Sequence, residues 1–175
     1  RGAHGANEFD TLHDQLMDAR LLLTSLGLSE TQGQTLIADS AARRVHPGFV
    51  ALEYPLSSDM NVLRPSLLPG LLDVLQHNVS HRNTDVAVFE IGRVFLPGES
   101  TVTESRKLAI AWIGNRQLGF WKGGAKAEKV DIFDLKGLLD GFLDGFGIRG
   151  FSWRTESCEQ GEFFIEKASL CLGRN

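Results

Sequence analysis

Two histidines have a spacing that metal sites use. His77 and His81 are four residues apart, so a helix would place both side chains on one face. Zinc sites need at least a third protein ligand, and the surrounding sequence has no glutamate completing an HExxH pattern and no nearby cysteine or further histidine. We therefore predict no metal site.

A carboxylate lies inside an otherwise apolar segment. Glu90 stands between Phe89 and Ile91, where an unpaired charge would be costly to bury. We predict that Glu90 pairs with Arg64 or Arg93, or that it faces a polar cavity. On energetic grounds a structural ion pair is favoured over a contact with substrate.

Other residue types associated with catalysis lack the sequence context that their chemistry requires. Gly119, Gly123 and Gly124 form neither a G-x-G-x-x-G turn after a strand nor a phosphate loop ending in Lys-Ser/Thr. Cys158 has no flanking signature of a nucleophile, and a single thiol is usually a small buried apolar group. The sequence predicts no catalytic residue and no cofactor bound by this segment.

A helix and a strand must position the charged residues. Pro65 and Pro69 are both tolerated only if the helix begins near Ser66, because proline lacks the N–H that later turns need. Ser66 is therefore the predicted N-cap. The apolar stripe of this helix comprises Leu67, Leu68, Leu71, Leu72, Leu75 and Val79. The segment 86–95 is apolar at odd and even positions, which predicts a central strand covered on both faces.

Further elements follow from apolar periodicity and from turn residues. One helix is predicted over 11–26, ended by Gly27, and another follows a cap at Asp131 and ends near Gly145 and Gly147. Strands are predicted at 31–37, 50–54, 108–113, 151–153, 163–165 and 170–172. Residues 115–129 are predicted to form a mobile loop with an aromatic anchor. Residues 1–10 are a predicted flexible lead-in, and 11–175 a single domain.

Composition limits the class of protein. The chain has 175 residues, 42% of them hydrophobic, which suffices for one domain with a sizeable core. Two cysteines give no disulfide framework and favour a reducing compartment. The net charge of -4 weighs against a general nucleic-acid binder, so no DNA partner is expected. The leucine-rich run at 21–28 is too short to span a bilayer, and no apolar leader is present, so no membrane partner is expected.

Three ordered motifs carry a family resemblance. LRPSLLPGLL at 63–72, FEIGRVF at 89–95 and FDLKGLL at 133–139 occur in the order and at the approximate spacing found in the β chain of bacterial phenylalanyl-tRNA synthetase. The chain resembles the region of that β chain that is folded like a class II synthetase catalytic core but carries no active site. A looser match extends from Leu16 to about residue 150, and we expect the chain to be a fragment of a longer β chain.

The resemblance implies an α+β fold, in which helices flank an antiparallel or mixed sheet as in the class II aminoacyl-tRNA synthetase catalytic core. Catalytic relatives follow the strand resembling 89–95 with an arginine that binds the ATP α-phosphate, whereas this chain has Leu96 and then Pro97. A leucine cannot neutralise a phosphate. Where relatives hold the amino acid with polar residues, this chain has Ser66, Leu67 and Leu68. The segment is therefore expected to be non-catalytic.

The resemblance also implies a partner. In the family, the core-like domain of the β chain pairs with the catalytic α chain in an (αβ)2 heterotetramer, a cytoplasmic ligase that attaches phenylalanine to tRNA(Phe) using ATP and Mg²⁺. The segment 11–26 corresponds to the class II dimerisation helix, so part of its apolar face is expected to meet the α chain. The candidate interface residues are Leu12, Leu16, Ala19, Leu22, Leu23 and Leu26. The same stripe could equally pack on the chain's own sheet, because helix patterning does not identify what covers a face.

The expected structural residues of the motifs are Arg64, Ser66, Glu90 and Arg93. A second hypothesis is a divergent, stand-alone class II-like paralogue that binds an amino acid or nucleotide in a pocket near Glu90 and Arg93. A large exposed apolar surface would favour the scaffold. A deep cavity lined by convergent polar groups would favour the paralogue.

Overall fold

The computed structural model describes residues 8–99, 101–116, 128–156 and 167–172. The helices in these residues are α1 (Glu8–Ser25), α2 (Asp39–Val45), α3 (Leu68–Ser80) and α4 (Ile132–Gly145), with a single 3-10 turn at Ser58–Met60. The strands are β1 (Ser29–Glu30), β2 (Leu36–Ile37), β3 (Val50–Ala51), β4 (Val62–Leu63), β5 (Val86–Pro97), β6 (Val102–Ile113), β7 (Phe151–Glu156) and β8 (Lys167–Leu172). The α+β class is as expected.

The main sheet has the order β1-β5-β6, with β5 in the centre. β1 pairs with β5 in parallel, and β6 pairs with β5 antiparallel from Val86 opposite Ile113 to Pro97 opposite Val102. The Gly98 N–H donates to the Thr101 carbonyl 2.9 Å away and closes the hairpin after the Pro97–Gly98 pair. The prediction of a central strand is confirmed.

Both faces of β5 are covered by helices. On one face, α1 and α4 enclose a cluster consisting of Leu23, Leu28 and Phe89, with Ala87, Ile91, Ile110, Leu138 and Phe142 packed against it. On the other face, α3 covers a cluster of Leu71, Val86 and Val88, with Val74, Leu75, Ala109, Ala111 and Ile113 around it. This double coverage explains why β5 is apolar at consecutive positions instead of alternating.

α1 and α4 end where the sequence predicts, but α1 starts earlier than predicted. Gly27 after α1 has φ +92 and Gly147 after α4 has φ +73, which are conformations that glycine adopts without strain. α1 begins at Glu8 and not at Thr11, so the last three residues of the predicted lead-in are helical. Residues 1–7 lie outside the described residues.

The prediction that Ser66 is the N-cap of α3 is wrong by one residue. The N-cap is Leu67, which is 2% exposed. The Ser66 hydroxyl still accepts a hydrogen bond, at 3.2 Å, from the N–H of Leu68, the first helical residue. Pro69 follows within the first turn and has no N–H to satisfy. The two prolines therefore locate the helix start to within one residue of the predicted cap.

The shorter strands depart most from the sequence prediction. The predicted strand at 31–37 is limited to its last two residues, β2, which belong to a small sheet of order β2-β4-β3. The neighbouring strand β1 ends at Glu30, before the predicted range, and belongs to the main sheet. The strand expected at 50–54 is limited to Val50–Ala51. β6 begins six residues before the predicted start at 108, because it pairs along the whole of β5.

The C-terminal strands are partly as predicted. β7 and β8 form a two-stranded antiparallel sheet that contains the strands expected at 151–153 and 170–172. The predicted strand at 163–165 lies outside the described residues, as does most of the predicted loop at 115–129. At the base of that loop, Asn115 and Lys129 form an isolated antiparallel bridge. No helix within the described ranges is long and apolar enough to cross a membrane.

The predicted cap of α4 is confirmed. The Asp131 carboxylate accepts hydrogen bonds from the N–H groups of Phe133 and Asp134, and the Asp134 carboxylate accepts one at 2.9 Å from the Asp131 N–H. This reciprocal arrangement is a capping box. The pKa of Asp134 is lowered below its ordinary value of 3.8, chiefly by the hydrogen bond from the Asp131 N–H. The Arg116 guanidinium, whose Nε lies 2.7 Å from Asp134 Oδ1, lowers this pKa further.

Asp134→Asn is expected to lower the melting temperature at neutral pH, because it removes a charge that the folded state stabilises. A lowered folded-state pKa gives stability that is present above the ordinary value of 3.8 and is lost as the pH falls through the folded value. Thermal unfolding from neutral to acidic pH should therefore show the two proteins converging below that range. Asp73→Asn, at an exposed position of α3 without a described partner, is the control and should leave the profile unchanged. A constant offset at all pH values would contradict the assignment.

Candidate functional site

Among the described residues, Arg64 and Glu90 form a buried ion pair at the central strand of the main sheet. Arg64 Nη1 lies 2.6 Å from Glu90 Oε1, and the two side chains are 7% and 2% exposed. The Arg64 Nε also donates a hydrogen bond of 2.9 Å to the carbonyl of Arg93. Of the partners that the sequence offered for Glu90, Arg64 is the one that the structure uses.

Backbone hydrogen bonds hold Arg64 between two other segments. The Phe95 N–H donates to the Arg64 carbonyl at 3.0 Å, and the Arg64 N–H donates to the Thr35 carbonyl at 2.9 Å. Arg93 instead directs its guanidinium outward, where Nη1 lies 3.0 Å from the Glu104 carboxylate. Arg64 therefore joins the segment before α3 to the central strand through both its backbone and its side chain.

Glycines make room for the buried pair. A Cβ at Gly92 would overlap Arg64 Nη2 and would lie 2.9 Å from Glu90 Oε1. A Cβ at Gly33 would lie 3.0 Å from Glu90 Oε2. Real Cβ atoms essentially never show the approach at Gly92, so this position requires glycine for space and not for backbone conformation. At Gly33 a Cβ would fit only if the Glu90 carboxylate shifted by a few tenths of an ångström. No sequence pattern assigned a role to either glycine.

One oxygen of the pair has no partner. Glu90 Oε2 is enclosed and accepts no hydrogen bond within the described residues. The charge of this carboxylate is therefore balanced through Oε1 and Arg64. A buried carboxylate satisfied on one side depends strongly on its single counter-ion.

A cavity of about 370 Å³ lies beside the pair. Its lining combines four arginines with a short apolar wall and several small or neutral groups. The lining residues are Leu16, Arg20, Gln32, Gly33, Thr35, Arg64, Glu90, Ile91, Gly92, Arg93, Phe95 and Arg106. The cavity thus brings together the motif residues Arg64, Glu90 and Arg93, whereas Arg20 and Arg106 had not been singled out in the sequence.

The predicted interface residues of α1 lie in three environments. Leu23 is fully buried and Ala19 is 8% exposed, so both side chains belong to the chain's own core and leave no surface for another chain. Leu16 and Leu22 are half-buried, and Leu16 lines the cavity. Leu12 and Leu26 are 48% and 37% exposed. Contact with another chain at these residues stays a prediction, which the structure narrows to the exposed members.

The histidine pair forms a local contact. The rings of His77 and His81 lie 4.3 Å apart, and His81 Nδ1 is 2.8 Å from the His77 carbonyl oxygen. The described residues contain no group of three or more His, Cys, Asp or Glu side chains that could hold a metal ion. Cys158 and the glycines at 119, 123 and 124 lie outside those residues, and Cys171 is half-buried.

Solved structures establish the class of fold. The chain superposes with a TM-score of 0.67 on Desulfitobacterium hafniense PylSc, a pyrrolysyl tRNA synthetase, at 20% sequence identity over 91% of this chain and 52% of that one. A crystal structure of pyrrolysyl-tRNA synthetase from the same organism gives a TM-score of 0.66 at 19% identity. The fold is that of a class II aminoacyl-tRNA synthetase core.

Sequence comparison establishes the family within that class. Residues 3–174 match the model of the phenylalanyl tRNA synthetase beta chain CLM domain, and the chain belongs to this family. It is 32% identical over 161 residues to the phenylalanine–tRNA ligase beta subunit of Syntrophotalea carbinolica, covering 87% of this chain and 19% of that protein. The corresponding subunit of Shouchella clausii is 35% identical over 135 residues, or 72% of this chain and 16% of that protein. The chain thus spans less than a fifth of these relatives.

Gly92→Ala is expected to destabilise the fold by about 1–3 kcal/mol, because the added methyl group must displace the Arg64 guanidinium. Gly137→Ala is the control, since a Cβ at this helical position of α4 meets nothing within 4 Å. The control should be neutral or should stabilise by up to about 1 kcal/mol, in line with helix propensity. Denaturant unfolding of both variants measures the difference. Equal free energies of unfolding for the two variants would show that Arg64 and Glu90 do not restrict the space at Gly92.

Arg64→Met is expected to cost about 3–5 kcal/mol of folding free energy, because it leaves the Glu90 carboxylate buried and unpaired. Adding Glu90→Met should recover part of this loss, since the double variant buries no charge. Arg93→Gln, which removes an exposed ion pair, should cost about 0–1 kcal/mol. A double-mutant cycle from denaturant unfolding gives the coupling energy. Additive effects of the two methionine substitutions would contradict a direct interaction.

Proposed function

We propose that this chain is a non-catalytic, core-like domain of the phenylalanine–tRNA ligase β subunit that scaffolds the catalytic α chain. The observation that carries the proposal is that charged side chains of two motifs pair with each other inside the fold. Arg64 and Glu90, one from each of two signature motifs, bind each other and are almost completely buried. Side chains in this state support the fold and present no charge to a substrate.

The hairpin after β5 supports the same proposal. Where catalytic class II enzymes place an arginine for the ATP α-phosphate, Leu96 is half-buried and pairs with Thr103 of β6. An apolar side chain at this point supplies neither charge nor hydrogen-bond donors for phosphoryl chemistry. In the proposed complex, the α chain uses ATP and Mg²⁺, tRNA(Phe) is bound by the whole assembly, and this domain binds no cofactor.

Exposed apolar side chains support a contact with another chain. The exposed fractions are 48% for Leu12, 42% for Met17 and 65% for Leu21 on α1, and 37% for Leu26 directly after it. A second group lies in the loop around the 3-10 turn, where Tyr54 is 84% exposed and Leu56 is fully exposed. Groups of exposed large apolar residues are typical of protein interaction surfaces. We propose the α chain as the partner, in a cytoplasmic (αβ)2 assembly.

The alternative is a stand-alone protein that binds an amino acid or nucleotide. The cavity beside Arg64 and Glu90 is the observation that favours it, because several polar groups converge there. However, Glu90 is engaged with Arg64 and its second oxygen is enclosed. The carboxylate of the motif is therefore not presented to a ligand, and the scaffold remains the better-supported function.

A variant carrying Leu12→Asp and Leu26→Asp is expected to bind the α chain at least about tenfold more weakly, because charge replaces exposed apolar contacts. Leu72→Asp in α3 is the matched control, since Leu72 is 38% exposed but does not lie on α1. Analytical ultracentrifugation of each protein mixed with the α chain measures the affinity.

Two results would contradict the proposal, one from this experiment and one from a separate exchange assay. One is that the unmodified chain does not associate with the α chain. The other is that the chain alone catalyses phenylalanine-dependent exchange of pyrophosphate into ATP. Equal weakening by the α1 and α3 variants would retain the partner but move the interface away from the proposed face of α1.

A further inference from the structure

Two arginines stand directly opposite each other on the central hairpin. Arg93 of β5 and Arg106 of β6 are register partners, so their side chains leave the same face of the sheet side by side. Like charges in this relation are destabilising. The positive charge of Arg93 is compensated by Glu104, whose carboxylate lies 3.0 Å from Arg93 Nη1. Arg106 is exposed, and its guanidinium has no hydrogen bond or ion pair with any other side chain in the described parts of the chain.

The charges around the cavity leave Arg106 uncompensated. Arg20 is held by Glu30 at 2.7 Å, and Arg64 by Glu90 at 2.6 Å. With Arg93 held by Glu104, each of these three guanidinium groups has its own carboxylate. The remaining positive charge belongs to Arg106 at the edge of the cavity. The electrostatic preference of the cavity is therefore for an anion.

The remainder of the lining limits the kind of anion. Leu16, Ile91 and Phe95 give the cavity an apolar wall, and Gln32 and Thr35 add neutral hydrogen-bonding groups. The volume of about 370 Å³ lies at the lower end of the range for small-molecule sites. Glu90 Oε2 is enclosed and does not oppose an anion directly. A compact molecule with one anionic group and an apolar body matches these features.

We propose that this cavity is a binding site for a small organic anion, either a carboxylate or a phosphate monoester. Arg106 binds the anionic group, and the wall formed by Leu16, Ile91 and Phe95 packs against the apolar body. The site requires no chemistry and is compatible with a scaffold role. It would allow a ligand to occupy the core-like domain without being transformed.

The test is a titration of the ¹⁵N-labelled chain followed by two-dimensional NMR, with benzoate and phenyl phosphate as probes. The amides of Gly33 and Gly92 line the cavity and report on its occupancy. Neutral benzamide is the ligand control. Arg106→Gln is the test variant, and Arg44→Gln on α2 is the control with the same change in charge at an exposed position outside the cavity.

We expect saturable shifts at both glycine amides with at least one of the two anions. The affinity should fall about tenfold in Arg106→Gln and remain unchanged in Arg44→Gln, as expected for loss of one charged contact. The anion that binds more tightly identifies the carboxylate or the phosphate as the preferred group. The proposal is overturned by absence of saturable shifts, by equal binding of benzamide, or by equal weakening in both variants. Preserved dispersion in the spectra of the variants shows that they remain folded.

Discussion

The structure depends on the burial of one opposite-charge pair between segments that are distant in the sequence. Glu90 lies in the middle of β5, where both faces of the strand are covered, so its charge must be balanced at that point. Arg64 supplies the balance from the segment that precedes α3. The requirement for space at Gly33 and Gly92 follows from this pairing. One electrostatic constraint thus explains the positions of Arg64 and Glu90 in two motifs, and of glycines at 33 and 92.

The same constraint relates the fold to its function. A class II synthetase core ordinarily presents charged side chains to ATP and to an amino acid, whereas this chain binds its motif carboxylate to its own arginine. Leu96 stands where a phosphate-binding arginine would be expected. The fold is retained, while the groups that chemistry requires are absent or occupied at these positions. The apolar side chains exposed on α1 and around Leu56 form the surface for which we propose a protein contact.

The sequence predicted the elements whose signals are local. Proline placement located the start of α3 to within one residue, continuous apolar character identified β5 as central, and Asp131 marked the cap of α4. Because burying an unpaired carboxylate is costly, the sequence also predicted Arg64 as one of two candidate partners for Glu90. The features that sequence reasoning missed are tertiary. The restriction of the predicted strand at 31–37 to Leu36–Ile37, the spatial role of Gly92 and the uncompensated charge of Arg106 all depend on neighbours that only the folded chain provides. Helix patterning likewise placed Leu23 and Leu12 on one stripe, although the core covers the first and leaves the second exposed.

Native-state hydrogen exchange at increasing denaturant tests most directly whether the ion pair unites the two motifs. The Phe95 N–H reports on the contact with Arg64, and the Leu71 N–H, which donates to the Leu67 carbonyl, reports on the first turn of α3. If the buried pair joins these segments, both amides should exchange through a single opening with the same free energy and the same denaturant dependence. A lower opening free energy at Phe95 than at Leu71 would show that the segments separate independently, and it would contradict the central role of the pair.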